Sequence, residues 1–250
     1  MRTQVGSTGE AMFGFRFEQR GAVATLRVAH REVPGGVDPH VLGPLWDCLD
    51  REVAKPSPVT CILVDGALLG PSNAEALTRP SPPTGLKAHP WPENFTVVRE
   101  ENFLNRMVDW ARQINSFVVT AVHGEVALQL AAPLLAADFR IISEQTTFVS
   151  LLGRVELPAL GALPWFLARL AGPARATELL LSQEPLRAQD AQRLGLANLV
   201  VGASDWEAEA LARADHFASL PRRQLWLVKR AAVASGEELR TFLEREADWI

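Results

Sequence analysis

The chain has 250 residues, of which 48% are hydrophobic and 22% charged, and this length is enough to bury one large core. Its formal net charge is −4 and its pI is about 5.8. These values argue against a protein that binds nucleic acid or an anionic membrane, because both partners require a basic surface. Locally, the neighbouring Arg222 and Arg223 could still contact a phosphate.

Neither cysteine suggests a disulfide or a metal site. Cys48 and Cys61 lack CxxC spacing and a nearby histidine, so we expect buried thiols, which suit a reducing cytoplasm. The first fifteen residues lack the apolar core of a signal peptide, and no apolar run reaches the length of a membrane span. A cytoplasmic location is therefore expected.

Hydrophobic periodicity predicts strands and helices that alternate along the chain. Strands are predicted within residues 13–28, where two surround a turn at Gly21, and at residues 59–64, 117–122 and 139–142. Helices are predicted at residues 37–53, 100–115 and 131–137, and a proline-rich loop at residues 71–92. Such an order predicts a parallel sheet with helices outside it, in which ligands bind beyond the carboxyl ends of the strands.

One segment, residues 120–141, has residues spaced as in a known protein family. It reads TAVHGEVALQLAAPLLAADFRI, in which Ala121, Gly124 and Asp138 resemble fixed positions of the crotonase family of enoyl-CoA hydratases and isomerases. His123 precedes the glycine and is expected to hold the turn by a hydrogen bond. The family's glycine triplet is replaced here by Leu128, Gln129 and Leu130, of which the two leucines are expected to line the substrate pocket.

The resemblance continues to about residue 235 and implies an overall organisation. It includes Phe148 and Gly161, and a stretch at residues 176–201 similar to the family's late helices and strand. The implied fold class is α/β, a crotonase-like ββα spiral core with a C-terminal helical trimerisation region. The corresponding divisions are a flexible N-terminus at residues 1–12, the core at 13–201 and the helical region at 202–250. A homotrimer or a dimer of trimers is what the resemblance implies.

The family's chemistry identifies two backbone positions. Its members hold the oxygen of an acyl-CoA or acyl-carrier-protein thioester with two backbone N–H groups, so that an enolate can form. The corresponding residues are Asn73 and Gln129, and Gln129 is expected at the positive end of a helix. The coenzyme A or phosphopantetheine is then part of the substrate, and no separate cofactor or metal is implied.

The acid and base side chains that the family uses are missing from their usual positions. Hydratases of the family use two glutamates to deliver water and a proton. Their positions correspond without gaps to Ala132 and Leu152, which cannot transfer protons. A small shift of the alignment would bring Glu156 to the second position, and Glu125 lies near the expected site. Both are candidate catalytic residues, although a solvated surface carboxylate is the simpler interpretation of each.

Three hypotheses follow from these replacements. The first is an isomerase, decarboxylase or other lyase that uses the oxyanion hole in a specialised, secondary metabolic pathway. The second is a catalytically inactive subunit, a pseudoenzyme that stabilises or activates a partner enzyme. The third is an ordinary hydratase with a shifted alignment. An open pocket beside Asn73 and Gln129 would favour an enzyme, and a pocket filled by Leu128, Leu130 and Leu152 would favour a subunit.

Overall fold

The computed structural model describes residues 15–28, 57–65, 95–152, 159 and 161–234. The strands are β1 (Phe15–Arg20), β2 (Val23–Val28), β3 (Val59–Asp65), β4 (Phe117–His123), β5 (Glu125–Ala127), β6 (Phe139–Ser143), β7 (Thr147–Val149), β8 (Leu186–Arg187) and β9 (Leu199–Val201). The helices are α1 (Phe95–Gln113), α2 (Ala132–Leu135), α3 (Leu163–Ala171), α4 (Pro173–Leu181), α5 (Ala188–Arg193), α6 (Trp206–Ala218) and α7 (Arg222–Ala234).

A six-stranded sheet forms the centre of the fold. Its strand order is β1-β2-β3-β4-β6-β9, and every pair except β1 with β2 is parallel. The predicted α/β class and parallel sheet are therefore confirmed. A second sheet, β5-β7-β8, was not predicted, because strands of two or three residues are too short to show an alternating pattern.

The central strand β4 is apolar on both faces because helices cover both sides of the sheet. Val118 and Val122 belong to a core cluster that contains residues of α1, α2 and α3. Val119 and Ala121 belong to a separate cluster on the other face, which contains Ala210 of α6. The side of the sheet that a β4 side chain faces therefore decides whether it can contact α2.

The helix expected at residues 131–137 is shorter than predicted. A 3-10 turn at Leu128–Leu130 comes first, and α2 begins only at Ala132. Proline has no N–H and is tolerated only in the first turn of a helix, so Pro133 marks that turn. At the other end, the Asp138 N–H donates to the carbonyl of Val118 and draws the chain into β6. The helix at 100–115 was placed correctly but begins earlier, at Phe95, and the elements expected at 37–53 and 71–92 lie outside the described residues.

Cys61 provides a first test of the core. This residue of β3 is fully buried, and burial raises the pKa of its thiol from about 9 to about 12. We expect a Cys48→Ser variant not to react with iodoacetamide at pH 8 until it is unfolded in urea, because the thiolate is the nucleophile. Since the folded-state pKa is the higher one, the contribution of Cys61 to stability is complete below about pH 9 and is lost as the pH rises toward 12.

Mass spectrometry of the alkylated chain would measure this reactivity. A Cys48→Ser/Cys61→Ser variant is the control for labelling at other side chains. Labelling of the native Cys48→Ser variant at the rate of a free thiol would contradict the burial of Cys61.

Candidate active site

Strands β3 and β4 end side by side, with Asp65 opposite His123. Directly after β4, Gly124 has a φ of 89°, a backbone conformation that favours glycine, and it turns the chain into the second sheet. The Thr147 N–H donates to the carbonyl of Gly124 and joins this turn to β7. The Gly124 turn of the family-like segment therefore lies at the carboxyl edge of the central sheet, where a ligand is expected to bind.

The three residues in place of the glycine triplet have buried side chains. Leu128, Gln129 and Leu130 are 3%, 4% and 4% exposed and form the 3-10 turn before α2. Leu128 belongs to the same core cluster as the residues of α1 and α2. Because α2 is only four residues long, a dipole that stabilises a negative charge here is weaker than that of a long helix. Both leucines thus pack inside the fold.

The side chain of Gln129 links the turn to the end of β7. Its Oε1 accepts a hydrogen bond from the N–H of Leu151 at 3.1 Å, and its Nε2 lies 3.5 Å from Oγ of Ser150. The N–H of Leu152 donates to the same Oγ at 3.2 Å. Gln129, which the sequence identifies by its backbone N–H, therefore also holds the loop that contains Leu152, the residue at the second glutamate position. A buried amide within an apolar run was the sequence signal for this role.

Replacing Gln129 by alanine is expected to loosen this loop. The N–H of Leu151 would lose its acceptor, and an unsatisfied buried donor costs about 1–3 kcal/mol. We expect faster hydrogen exchange at Leu151 and Leu152 and a lower urea midpoint. Gln145, which is exposed on the turn between β6 and β7, offers a matched control as Gln145→Ala. Unchanged exchange at Leu151 would show that the amide does not hold the loop.

The two glutamate positions differ sharply in environment. Ala132 is fully buried, whereas Leu152 is 40% exposed. A Cβ added to Gly161 would lie 3.1 Å from Cβ of Ala132 and 3.0 Å from Cβ of Leu104, so the packing beside Ala132 is tight. Neither side chain can act as an acid or base, and the space around the first is closed by apolar neighbours.

Of the two candidate carboxylates, the structure describes one. Glu125 opens β5, pairs in register with Thr147, and has an exposed side chain. Glu156 and Asn73 lie outside the described residues. Glu125 and Gln129 lie at the same edge of the sheet, and an acid–base role for Glu125 or Glu156 stays a prediction.

His123 lies on the face of the central sheet that α6 covers, opposite the face that α2 covers. Its ring stacks on Trp206 of α6 at 5.7 Å, and its Nδ1 lies 2.9 Å from Oγ of Ser143. Because Thr146 Oγ1 donates to the carbonyl of Val122, it accepts from Ser143, and Ser143 in turn accepts from His123. This chain assigns the proton to Nδ1 and makes His123 a structural link between β4 and β6.

At the other end of α2, Asp138 forms a buried ion pair that the sequence analysis did not foresee. Its Oδ2 accepts from the N–H of Val118 at 2.7 Å and from Nζ of Lys229 at 2.9 Å. Lys229, on α7, is 3% exposed and also donates to the carbonyls of Ala111 and Ser116. Burial raises the pKa of Asp138 and lowers the pKa of Lys229, and the attraction between their charges opposes both shifts. Asp138 thus joins α2, β4 and α7.

Within the described ranges, no group of three or more His, Cys, Asp or Glu side chains is arranged to hold a metal ion. Over the same residues, every helix is too short or too polar to cross a membrane.

Comparisons with known proteins agree with the fold and the segment. Residues 93–248 match the model of the enoyl-CoA hydratase/isomerase family. The chain is 30% identical over 230 residues to a 1,2-epoxyphenylacetyl-CoA isomerase of Escherichia coli, covering 91% of this chain and 85% of that protein. It is 33% identical over 102 residues to a trans-2-decenoyl-[acyl-carrier-protein] isomerase of Streptococcus mutans, covering 40% and 38% of the two chains.

Solved structures share the fold. An enoyl-CoA hydratase/isomerase from Pseudoalteromonas atlantica superposes with a TM-score of 0.74 at 21% identity, covering 94% of this chain and 88% of that one. The DspI protein of Pseudomonas aeruginosa gives a TM-score of 0.72 at 18% identity, covering 97% and 96%. With the matched family model and the E. coli relative, the chain belongs to the enoyl-CoA hydratase/isomerase family, the crotonase superfamily that its sequence resembles.

Proposed function

We propose that this protein binds an acyl thioester of coenzyme A or a carrier protein and rearranges it without adding water. The observation that carries the proposal is the environment of Ala132, which is fully buried at the first glutamate position. Hydration of a double bond requires two positioned groups, one for water and one for a proton. Ala132 and Leu152 occupy the two positions and can supply neither group. A reaction through an enolate requires fewer catalytic side chains than hydration and therefore fits these residues better.

The enolate chemistry depends on backbone rather than side-chain groups. The N–H groups of Asn73 and Gln129 would hold the thioester oxygen as it gains negative charge, an interaction worth about 3–4 kcal/mol per donor in other enzymes. For isomerisation, one base removes a proton from carbon and returns it to another carbon. Glu125 is our candidate because its exposed carboxylate lies one residue after the Gly124 turn, with Glu156 as the second choice. Loss of carbon dioxide would form the enolate with no base at all.

The names of two relatives support this choice of chemistry. The E. coli protein is an isomerase of a CoA thioester, and the S. mutans protein is an isomerase of a carrier-protein thioester. We therefore favour isomerisation over decarboxylation, in a specialised pathway of the cytoplasm. Both coenzyme A and carrier-protein thioesters belong among the substrates to be tested.

Two measurements test the proposal. The first is calorimetric titration with coenzyme A and short acyl-CoAs. The second is NMR detection of solvent deuterium entering the acyl chain of an enoyl-CoA, which reports enolate formation. We expect saturable binding and deuterium exchange, with exchange reduced about 100-fold in Glu125→Gln if this residue is the base. Glu144→Gln, at an exposed glutamate after β6, is the matched control. Hydration of crotonyl-CoA at an enzymatic rate would overturn the proposal.

A second candidate is a catalytically inactive subunit that stabilises a partner enzyme. The packing of Leu128 and Leu130 favours it, since their side chains are buried where the family has glycines. The side chain of Gln129 favours it as well, because its hydrogen bond to Leu151 gives this residue a structural role. This candidate predicts no binding of coenzyme A or acyl-CoA at millimolar concentration and no deuterium exchange. Copurification of a homologous enzyme from the native host would then identify the partner.

A further inference from the structure

Leu152 differs in environment from the two leucines that replace glycines. Leu128 and Leu130 are 3% and 4% exposed, whereas Leu152 is 40% exposed. Leu152 therefore does not pack into the core as the other two do, and it gains less stability from the burial of its side chain. A single exposed leucine is common on proteins, so its meaning depends on where it lies and on how it is held.

The backbone at Leu152 is held by buried groups. The N–H of Leu152 donates to Oγ of Ser150 at 3.2 Å. The N–H of the preceding residue, Leu151, donates to Oε1 of Gln129 at 3.1 Å. Ser150 and Gln129 are 6% and 4% exposed, and Leu151 is fully buried. Because a satisfied network of buried polar groups makes the surrounding structure rigid, Leu152 is held in a defined position.

This position is close to the expected thioester. The backbone N–H of Gln129 is our candidate to hold the thioester oxygen, and the side chain of the same residue binds the N–H directly before Leu152. Strand β5 leads to Gln129 and β7 leads to Leu152, and the two strands are parallel, with Ala127 opposite Val149. The residues that follow the two strands therefore lie together at one end of the second sheet, and Leu152 is near a group bound at Gln129.

The chemical character of Leu152 limits what can bind beside it. A glutamate here would place a charge next to the acyl group, whereas leucine offers only apolar surface. Burial of an alkyl chain against this surface is favourable, by about fourfold in affinity for each methylene group. A carboxylate or hydroxyl group buried there loses its water and gains no hydrogen bond, which is unfavourable.

We infer that Leu152 is a specificity-determining residue that selects thioesters whose acyl group is an apolar alkyl or alkenyl chain. Its side chain contacts the acyl chain beyond the thioester carbonyl. Acyl groups with a carboxylate close to that carbonyl, such as the malonyl group, bind more weakly, so isomerisation of an alkenyl chain fits this site better than decarboxylation. The inference rests on the proposed function and adds the substrate class to it.

Calorimetric titration of the full chain with four ligands tests the inference. The ligands are coenzyme A, butyryl-CoA, hexanoyl-CoA and malonyl-CoA. We expect hexanoyl-CoA to bind more tightly than coenzyme A by about tenfold or more, because its chain is buried against apolar surface. Butyryl-CoA should bind more tightly than malonyl-CoA, which is of similar size but carries a carboxylate.

Variants of Leu152 assign this preference to its side chain. In Leu152→Ala, the preference for hexanoyl-CoA over coenzyme A should fall about fivefold, whereas the affinity for coenzyme A, which has no acyl group, should not fall. Leu152→Met should keep the preference, since methionine is apolar and of similar volume. Leu181→Ala, at an exposed leucine that ends α4, is the matched control and should change no affinity. Equal thermal midpoints would show that all variants are folded.

The remaining outcomes separate this inference from the proposed function. No binding of coenzyme A or of any acyl-CoA at millimolar concentration overturns both. If coenzyme A binds but hexanoyl-CoA binds no more tightly, or if Leu152→Ala keeps the full preference, only the inference is wrong. Malonyl-CoA that binds as tightly as butyryl-CoA also overturns it and favours decarboxylation. A changed sedimentation coefficient of Leu152→Ala with an unchanged preference would assign Leu152 to a contact between chains.

Discussion

Replacing Lys229 by methionine is expected to lower the free energy of unfolding by about 3–5 kcal/mol. The substitution leaves the carboxylate of Asp138 buried, with the N–H of Val118 as its remaining hydrogen-bond partner. A buried charge without its counter-charge loses the attraction that offset its dehydration. The carbonyls of Ala111 and Ser116 would lose their donor as well. Urea unfolding followed by tryptophan fluorescence would measure the change.

The control is the double variant Lys229→Met/Asp138→Asn. Asparagine is uncharged and its Oδ1 can still accept from the N–H of Val118, so we expect it to recover much of the lost stability. A loss below about 1 kcal/mol in Lys229→Met would mean that the pair behaves like an exposed salt bridge. Equal losses in the single and double variants would mean that the methionine, rather than the stranded carboxylate, is the cause.

Restoring a glutamate at position 132 is expected to unfold the protein rather than create a hydratase. The residue is fully buried and packs beside Gly161 and Leu104. Burial of an unpaired carboxylate and the overpacking of this contact together should cost about 4 kcal/mol or more. At position 152 the same substitution should change stability by about 0.5 kcal/mol or less, because Leu152 is 40% exposed.

Urea unfolding of Ala132→Glu and Leu152→Glu would compare the two positions directly. Hydration of crotonyl-CoA, followed by the loss of its ultraviolet absorbance, should remain absent in both variants. An Ala132→Glu variant with the stability of the parent would show that the packing can open. Hydratase activity in that variant would show that a single residue separates this protein from the hydratases of its family.

The middle of the central sheet could be predicted because two of its strands are apolar along nearly their whole length. Residues 59–64 and 117–122 have this pattern, and they became β3 and β4. Strands β5, β7 and β8 could not be predicted, since strands of two or three residues take their conformation from tertiary pairing. The helix predicted at 131–137 begins one residue later, with Pro133 in its first turn, and ends two residues earlier, before the N–H of Asp138 donates to the carbonyl of Val118.

The candidate site was only partly predictable from the sequence. The family-like frame located the turn at Gly124 and the buried residues that follow it. The hydrogen bonds of Gln129 depend on the end of β7, and the packing around Ala132 depends on Gly161. Both partners are more than twenty residues away along the chain, so the sequence pattern does not show these contacts. Lys229 left a signal that was not used: it is a single lysine on the buried side of α7, four residues after Leu225.

The contact between Gly161 and Ala132 bears on the order in which mutations could alter this protein. A glutamate introduced first at position 132 would meet closed packing, so its carrier would be unstable before it gained any activity. A mutation that moves Leu104 or the backbone at Gly161 away from position 132 would have to come first. By itself, such a mutation only opens a destabilising cavity. A gain of hydratase activity through position 132 thus requires at least two changes, of which neither alone is favourable.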